Sequence, residues 1–404
     1  MNDRSSTRPR ILFVAEAVTL AHVGRPRVLA ESLDPTRYEV HLAADCAFDA
    51  ALAGFTGQRW PLTSMAPARF LQSLAAGRPL YDAKTLESYV ADDLALLERV
   101  RPAVVVGDFR LSLAVSAPLM GIPYLALVNA YWSPYADLPF WPIPDLPPVR
   151  IFGERFSAAL FNRIRPLIFR LHAAALNRVR RRHGLAPVGD LPHAYTWGDE
   201  TLYLDLPQMV PMRSLPTNHH FLGPVIWEPE VPLPEWWDSL PADRPTLYVT
   251  LGSSGPAALL SRLLTALARL PVNVVAATAG RVDRATLPPG VWAADYLPGT
   301  AVAARADLVI SNGGSPAGYQ ALSQGTPVLG LPTNLDQHLA TGHLVATGAG
   351  AALRSERATP AAIQTLVERM LGDPDYAQAA RRVRDWIAVA RPGEELARRL
   401  AARL

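Results

Sequence analysis

The chain has 404 residues, of which 50% are hydrophobic and 19% charged, and its net charge is +3. That length and apolar fraction exclude a disordered or fibrous chain and suffice for two domains with cores of their own; the small, scattered charge excess, with no aromatic-basic motif, argues against a nucleic-acid partner. Cys46 is the only cysteine, so neither an intrachain disulfide framework nor a cysteine-based zinc site is available.

No apolar run approaches the roughly 18 residues that would indicate a membrane span. The polar start, MNDRSSTRPR, passes straight into an apolar run without the pattern of a signal peptide. A cytoplasmic, reducing setting is the expectation.

Ile11 to Ala15 and Tyr38 to Ala43 are short apolar runs suited to buried strands, with a helical pattern through Val28, Leu29 and Leu33 between them. This opens a βαβ unit, and His22 lies in the turn after its first strand, within AHVGRP. A lone histidine there is either structural or a proton acceptor. Thr85 to Arg101 repeats Leu86, Tyr89, Val90, Leu94, Leu96 and Leu97 at helical spacing. Val104 to Val106 follows as a strand. Asp108, just beyond it, either caps the next helix or acts at the carboxyl edge of the sheet, where ligands of open α/β sheets sit.

Tyr131 to Pro148 is crowded with proline, which blocks helix and central strand. The expected result is a stiff loop displaying Tyr131, Trp132, Tyr135, Phe140 and Trp141. These aromatics either wall an apolar acceptor pocket or pack on the domain. Phe156 to His183 mixes apolar residues at helical spacing with arginines and ends in RVRRRHG. Such a helix suits either an anionic membrane surface or solvent; solvent is the favoured reading, with Pro166 breaking the stripe.

The charged, proline-rich WEPEVPLPEWWDSLPADRP has linker composition, so a second domain starts near Arg244 with a strand from Thr246 to Leu251. Its first turn, Gly252-Ser253-Ser254-Gly255, offers hydroxyls and close backbone approach to a phosphate. The stretch Asp307 to Gln337 is the most informative. A strand at Leu308 to Ile310 is followed by Gly313-Gly314, by Ser315 as a helix cap with Pro316 at the first helical position, and by Gly325 at the stop. Strand, glycine turn and helix N-terminus direct unpaired N–H groups and the positive end of the helix dipole at one spot, which suits a phosphate or pyrophosphate. Asp336 and Gln337, beyond the strand Pro327 to Leu331, add a carboxylate and an amide suited to sugar hydroxyls.

The order Gly313-Gly314, Ala321-Leu322, Gly325-x-Pro327, Pro332 and Asp336-Gln337 resembles the nucleotide-sugar signature of the family that includes UDP-glucuronosyltransferases, plant secondary-metabolite glycosyltransferases and bacterial macrolide glycosyltransferases. The resemblance implies an α/β protein of the GT-B fold, with two Rossmann-like domains facing an interdomain cleft. Residues 1–226 would bind the acceptor, 243–386 the nucleotide sugar, and 387–404 would form a terminal helix packing back on the first domain. AHVGRP resembles the family's GHxxP turn, which makes His22 the base, and GDFRLSLAVSAPLMGIP resembles the segment carrying its orienting aspartate, here Asp108. Donor contacts are implied for Gly252, Ser253 and Ser254, for Tyr296 and Leu297 in the base-binding segment WAADYLP, and for Asn312, Gly313, Gly314, Ser315, Gln320, Asp336 and Gln337.

The expected activity is inverting, metal-independent transfer of a sugar from a UDP- or dTDP-sugar to a hydroxyl of a small apolar acceptor such as a bacterial secondary metabolite. The nucleotide sugar is a co-substrate and no cofactor is implied; oligomeric state is left open. A serine hydrolase fits poorly, because Pro316 after Ser315 lacks the N–H that an oxyanion hole needs. GxGxxG and P-loop motifs are absent, which argues against hydride transfer and kinase chemistry. The rival reading is an inactive, glycosyltransferase-like binding subunit: Asn312 replaces the common histidine of HGG, Gln320 a common glutamate and Gly299 a common glutamine.

Overall fold

The computed structural model describes residues 8–252 and 255–404, and the chain divides into two compact units. The first holds the chain up to Asp137, together with Arg163–Trp227 and Arg391–Leu404; the second holds Leu138–Asn162 and Glu228–Ala390.

The first unit is built on a seven-stranded parallel sheet of β1 (Arg10–Ala15), β2 (Glu39–Ala44), β3 (Gln58–Pro61), β4 (Val104–Asp108), β5 (Tyr124–Val128), β6 (Glu200–Tyr203) and β7 (His219–Phe221), in the order β3-β2-β1-β4-β5-β6-β7. β1 sends Ile11, Phe13 and Ala15 into one apolar cluster and Leu12 and Val14 into another. Both faces of the strand are therefore buried, which is why its sequence is an unbroken apolar run rather than an alternation. The last helix, Pro392–Ala401, contributes Leu396 and Leu400 to the first of these clusters, and Arg403 beyond it pairs with Glu200 at 2.8 Å.

This unit also buries charge. Arg110 is fully buried and reaches Glu16 at 2.8 Å, Asp93 at 3.0 Å and the Thr63 carbonyl at 2.7 Å. Its guanidinium lies 3.8 Å from the centre of the Tyr89 ring, and Glu16 also accepts from the Tyr89 hydroxyl and the Met65 N–H. Burial pushes the Asp93 carboxyl above the usual carboxylate range, and Arg110 offsets part of that.

At the start of β7, burial, with help from neighbouring His220, holds the His219 imidazole down at about 4. An unfolded histidine titrates near 6.5. Between those values the unfolded chain binds the extra proton, so stability present above the unfolded value is lost as the pH falls from about 6.5 toward 4. The melting temperature is expected to decline through that window, and less steeply in His219→Gln. Equal slopes for the two proteins would show that His219 contributes nothing to acid sensitivity.

The second unit has a six-stranded parallel sheet of β8 (Thr246–Thr250), β9 (Asn273–Ala277), β10 (Val291–Ala294), β11 (Leu308–Ser311), β12 (Val328–Gly330) and β13 (Gly350–Ala352), in the order β10-β9-β8-β11-β12-β13. Leu247, Val249, Leu308, Ile310 and Leu329 form its core with the helices Ala257–Leu267 and Pro360–Gly372. The chain folds as the sequence pattern predicts, with three local differences. Gly314, not Ser315, is the cap of the helix Ser315–Ser323, so Ser315 and Pro316 occupy its first two positions; the Gly314 N–H donates to Asn312 Oδ1 at 3.1 Å, and a Cβ there would stand 3.2 Å from the same oxygen.

The second difference concerns the proline-rich loop. Leu138–Asn162 belongs with the second unit, where Asp145 bonds His338 at 3.0 Å and Arg354 at 2.8 Å and its N–H reaches the Thr333 carbonyl at 2.9 Å. Third, Pro166 does not interrupt its helix, which runs unbroken over Glu154–Arg182. The proline removes one ladder hydrogen bond, and the buried stripe Phe161, Phe169, Ala173, Leu176 and Val179 outweighs that cost.

Candidate active site

In the first unit the chemistry gathers at the carboxyl ends of adjacent strands. Ala15 of β1 is in register with Asp108, the last residue of β4, and β1 leads into the helix Leu20–Glu31. That helix carries His22 in its first turn. Pro26 follows His22 by four residues rather than the three of GHxxP, so the His22 carbonyl has no helical N–H partner one turn on.

His22 Nδ1 lies 2.7 Å from Asp108 Oδ1, and at that distance a hydrogen must sit between them. Asp108 is 1% exposed and also receives Arg25 as a fork, Nε to Oδ2 at 3.0 Å and Nη2 to Oδ1 at 2.9 Å. Arg25 Nη2 also lies 2.9 Å from His22 Nδ1, so Nδ1 is enclosed by Asp108 and Arg25, while Nε2 takes part in neither contact. Arg25 Nη1 reaches Asn129 Oδ1 at 2.9 Å, and Asn129 and the Ala130 N–H are in turn held by Asp205. Asn129 follows β5 and Asp205 follows β6, so four strand ends support one imidazole. Arg25, Asn129 and Asp205 were not legible as site residues; the available signal is their position just past strand ends or one helical turn from His22.

Phe109 lies between the Asp108 site and the buried Arg110 with a left-handed backbone, φ 62°. Its ring stacks on His22 at 4.8 Å. Tyr195 packs on Phe109 at 5.3 Å and Trp132 on Tyr195 at 5.1 Å, so an aromatic row runs from the imidazole to Trp132. Of the residues expected to face an acceptor, Trp132 joins this row and Tyr131 is fully buried beside it in sequence. Tyr135 packs on His219. Phe140 and Trp141 lie in the second unit: Phe140 is exposed, and Trp141 is buried with its backbone N–H and C=O both bonded to the Asn162 side chain.

In the second unit, Gly252, Tyr296 and Leu297, Asn312 to Ser315, and Asp336 and Gln337 each follow the carboxyl end of a parallel strand. Ser253 and Ser254 lie outside the described residues. Gly313 has φ +78°, and a Cβ there would come within 2.1 Å of Thr341 Oγ1, so only glycine fits. A Cβ on Gly252 would stand 3.6 Å from the Asn312 amide nitrogen, which brings those two turns together. Gly299 and Gln320 are also neighbours: a Cβ on Gly299 would lie 2.7 Å from Gln320 Oε1. Tyr296 is half exposed and Leu297 buried. Gln337 does a job the sequence reading did not assign. It is buried and forms a capping box with Asn334, its Oε1 accepting from the Thr333 N–H at 3.0 Å and the Thr333 hydroxyl at 2.9 Å.

Two Rossmann-like units, one presenting an imidazole beside a buried carboxylate and the other a glycine turn at a helix N-terminus, are the build of GT-B glycosyltransferases. A structure of the spinosyn rhamnosyltransferase SpnG complexed with thymidine diphosphate has the same fold, with a TM-score of 0.69 over 97% of this chain and 100% of that one at 22% identity. Residues 261–402 match the family described as erythromycin biosynthesis protein CIII-like, C-terminal domain. A PGL/p-HBAD biosynthesis glycosyltransferase of Mycobacterium tuberculosis is 52% identical over 377 residues, 93% of this chain and 88% of the relative. A PGL/p-HBAD biosynthesis rhamnosyltransferase of Mycobacterium bovis is 50% identical over 382 residues, 94% and 85% of the two chains. The chain belongs to this glycosyltransferase family. A shorter match, 52% over 263 residues, is to an inactive PGL/p-HBAD biosynthesis glycosyltransferase of Mycobacterium bovis.

Proposed function

We propose that the protein transfers a sugar from a dTDP- or UDP-linked donor to the hydroxyl of a small apolar acceptor, by a single inverting displacement without a metal. The observation that carries this reading is the 2.7 Å contact of His22 with a buried, arginine-held Asp108, an arrangement that leaves Nε2 to take the acceptor proton. The imidazolium then formed is stabilised by Asp108. The Phe109, Tyr195 and Trp132 row offers an apolar surface beside that nitrogen. In the second unit, the positive end of the dipole of the helix Ser315–Ser323 meets the departing diphosphate, the role a metal would otherwise fill; the Gly313 and Gly314 N–H groups are held by Ser311 and Asn312 and shape the turn.

The 50% identical relative named a rhamnosyltransferase and the thymidine diphosphate complex of a protein with this fold favour a dTDP-sugar. A thermal-shift panel of dTDP, UDP and GDP with their sugar conjugates tests this: hundredfold saturation adds about 2.7 kcal/mol. Stabilisation by dTDP or UDP is the expected result, and none by any nucleotide would favour a binding subunit instead.

Asp336→Ala is expected to lower turnover of the sugar nucleotide while leaving affinity for the bare nucleotide nearly intact, because the carboxylate meets the sugar; a lost hydrogen bond of this kind costs about 1.5 to 3 kcal/mol. Gln337→Ala removes the cap as well, so it should also lower stability by about 0.5 to 2 kcal/mol. Equal weakening of nucleotide and sugar nucleotide by Asp336→Ala would contradict the assignment.

A further inference from the structure

We propose that the outward face of the helix Glu154–Arg182 lies on an anionic lipid bilayer. Phe156, Leu160, Ile164, Leu167 and Leu171 recur at spacings of three and four residues and so share one face of a continuous helix. Their exposures are 61, 48, 42, 61 and 57%. The opposite face is already used, with Ala158, Phe161, Phe169, Ala173 and Leu176 all buried. A helix whose core face is satisfied gains nothing in folding from a second apolar stripe, and a contiguous exposed stripe of this kind marks an interaction surface. The preceding short helix, Pro147–Phe152, extends it with Ile151 and Phe152, the latter's ring 6.0 Å from that of Phe156. The sequence pattern favours a solvated face; the exposed side of the helix carries these apolar residues together with its arginines.

Charge selects the occupant. Arg155, Arg163, Arg170, Arg178, Arg181 and Arg182 are all exposed, and the only carboxylate of the helix, Glu154, is bonded to Arg357 at 3.0 Å. Arg163, Arg170 and Arg181 border the stripe along one side, by helical geometry. Beside that border a cleft of about 680 Å³ is lined by Arg170, Asn177, Arg181, Asp190 and His193, among others. Asn177 is occupied by the Gly189 carbonyl and the Val188 N–H, and Asp190 by His193, which leaves the two guanidinium groups to meet a phosphate headgroup. A second copy docked on the same face would bring cationic borders together, whereas anionic headgroups complement them. No described helix is long and apolar enough to cross a membrane, so the contact is one of a helix lying in the interfacial plane.

The test is co-sedimentation of the full chain with phosphatidylglycerol or phosphatidylcholine vesicles at about 0.1 M salt. Binding to the anionic vesicles is expected to be at least about tenfold tighter than to the zwitterionic ones. Leu160→Gln/Leu167→Gln and Arg163→Gln/Arg170→Gln should each weaken it by about tenfold or more, with unchanged melting curves because all four side chains are exposed. Inorganic phosphate at millimolar concentration should not displace the protein. Absence of binding to anionic vesicles, or undiminished binding by the leucine variant, overturns the proposal. So does release by phosphate, which would make the cleft a site for the free anion. A wild-type dimer in light scattering that the leucine variant abolishes would assign the face to a second copy.

Discussion

His22→Ala is expected to lower kcat by about 10²- to 10⁴-fold, the usual share of general-base catalysis, with donor affinity preserved. The reason is geometric: Nδ1 is enclosed by Asp108 at 2.7 Å and Arg25 at 2.9 Å, which leaves Nε2 as the nitrogen proposed to take the proton. Asp108→Asn should also impair turnover, because an amide can hold the wrong tautomer, and combining the two substitutions should add little to His22→Ala because they act as a unit. Asp108→Asn carries a second cost that His22→Ala does not. It leaves the 8%-exposed Arg25 side chain without its carboxylate, so its melting temperature should fall while that of His22→Ala stays close to wild type. Near-normal transfer by folded His22→Ala would remove the histidine from the mechanism.

The largest expected effect on stability is that of Arg110→Ala, a loss of about 3 to 5 kcal/mol. Removing the guanidinium strands Glu16 and Asp93, both essentially inaccessible to water, and the desolvation cost of an unpaired buried carboxylate is not recovered elsewhere. In the variant the Asp93 carboxyl, already raised by burial, loses the guanidinium that offsets part of that burial, so its folded value stands above the unfolded one. The folded chain then binds more protons, and the loss should shrink as the pH is lowered. Replacing all three residues by apolar ones of similar volume should cost much less than Arg110→Ala alone, since a buried ion pair is weak evidence for net stability. Chemical denaturation at pH 5 and pH 8 checks both statements; an Arg110→Ala loss below about 0.5 kcal/mol would contradict them. Because Arg110 is two residues from Asp108, with the left-handed Phe109 between them, the buried pairs also anchor the turn that presents Asp108 and Phe109 to His22.

Much of this was legible because parallel strands buried on both faces leave a simple trace. Ile11 to Ala15, Val104 to Val106 and Leu308 to Ile310 are unbroken apolar runs within strands, and residues singled out from sequence lie at or beyond their carboxyl ends: His22 in the helix after the first, Asp108 and Asn312 at the other two. Glycine left a comparable trace at Gly313 and Gly325, both at positive φ. What the sequence could not carry were long-range pairings. Arg25 reads as one more charged residue on a helix until β4 is placed beside β1, and Asn129 and Asp205 acquire meaning only through Arg25. Gln337 has the residue type that suits a sugar hydroxyl, yet a helix cap three residues away claims its oxygen. The proline-rich loop is continuous in sequence with the first unit but docks through Asp145 on His338 and Arg354, pairings separated by about two hundred residues. Pro166 misled for the opposite reason: a local breaker rule was outweighed by burial along a 29-residue helix.

Transfer of sugar to acceptor in one displacement assisted by His22 leaves its record in the anomeric configuration of the product. The glycoside formed from a dTDP- or UDP-sugar of known configuration can be assigned by the proton coupling at its anomeric carbon in NMR. The configuration is expected to be inverted relative to the donor, with glycoside formation lost in His22→Ala. A product that retains the donor configuration would contradict it.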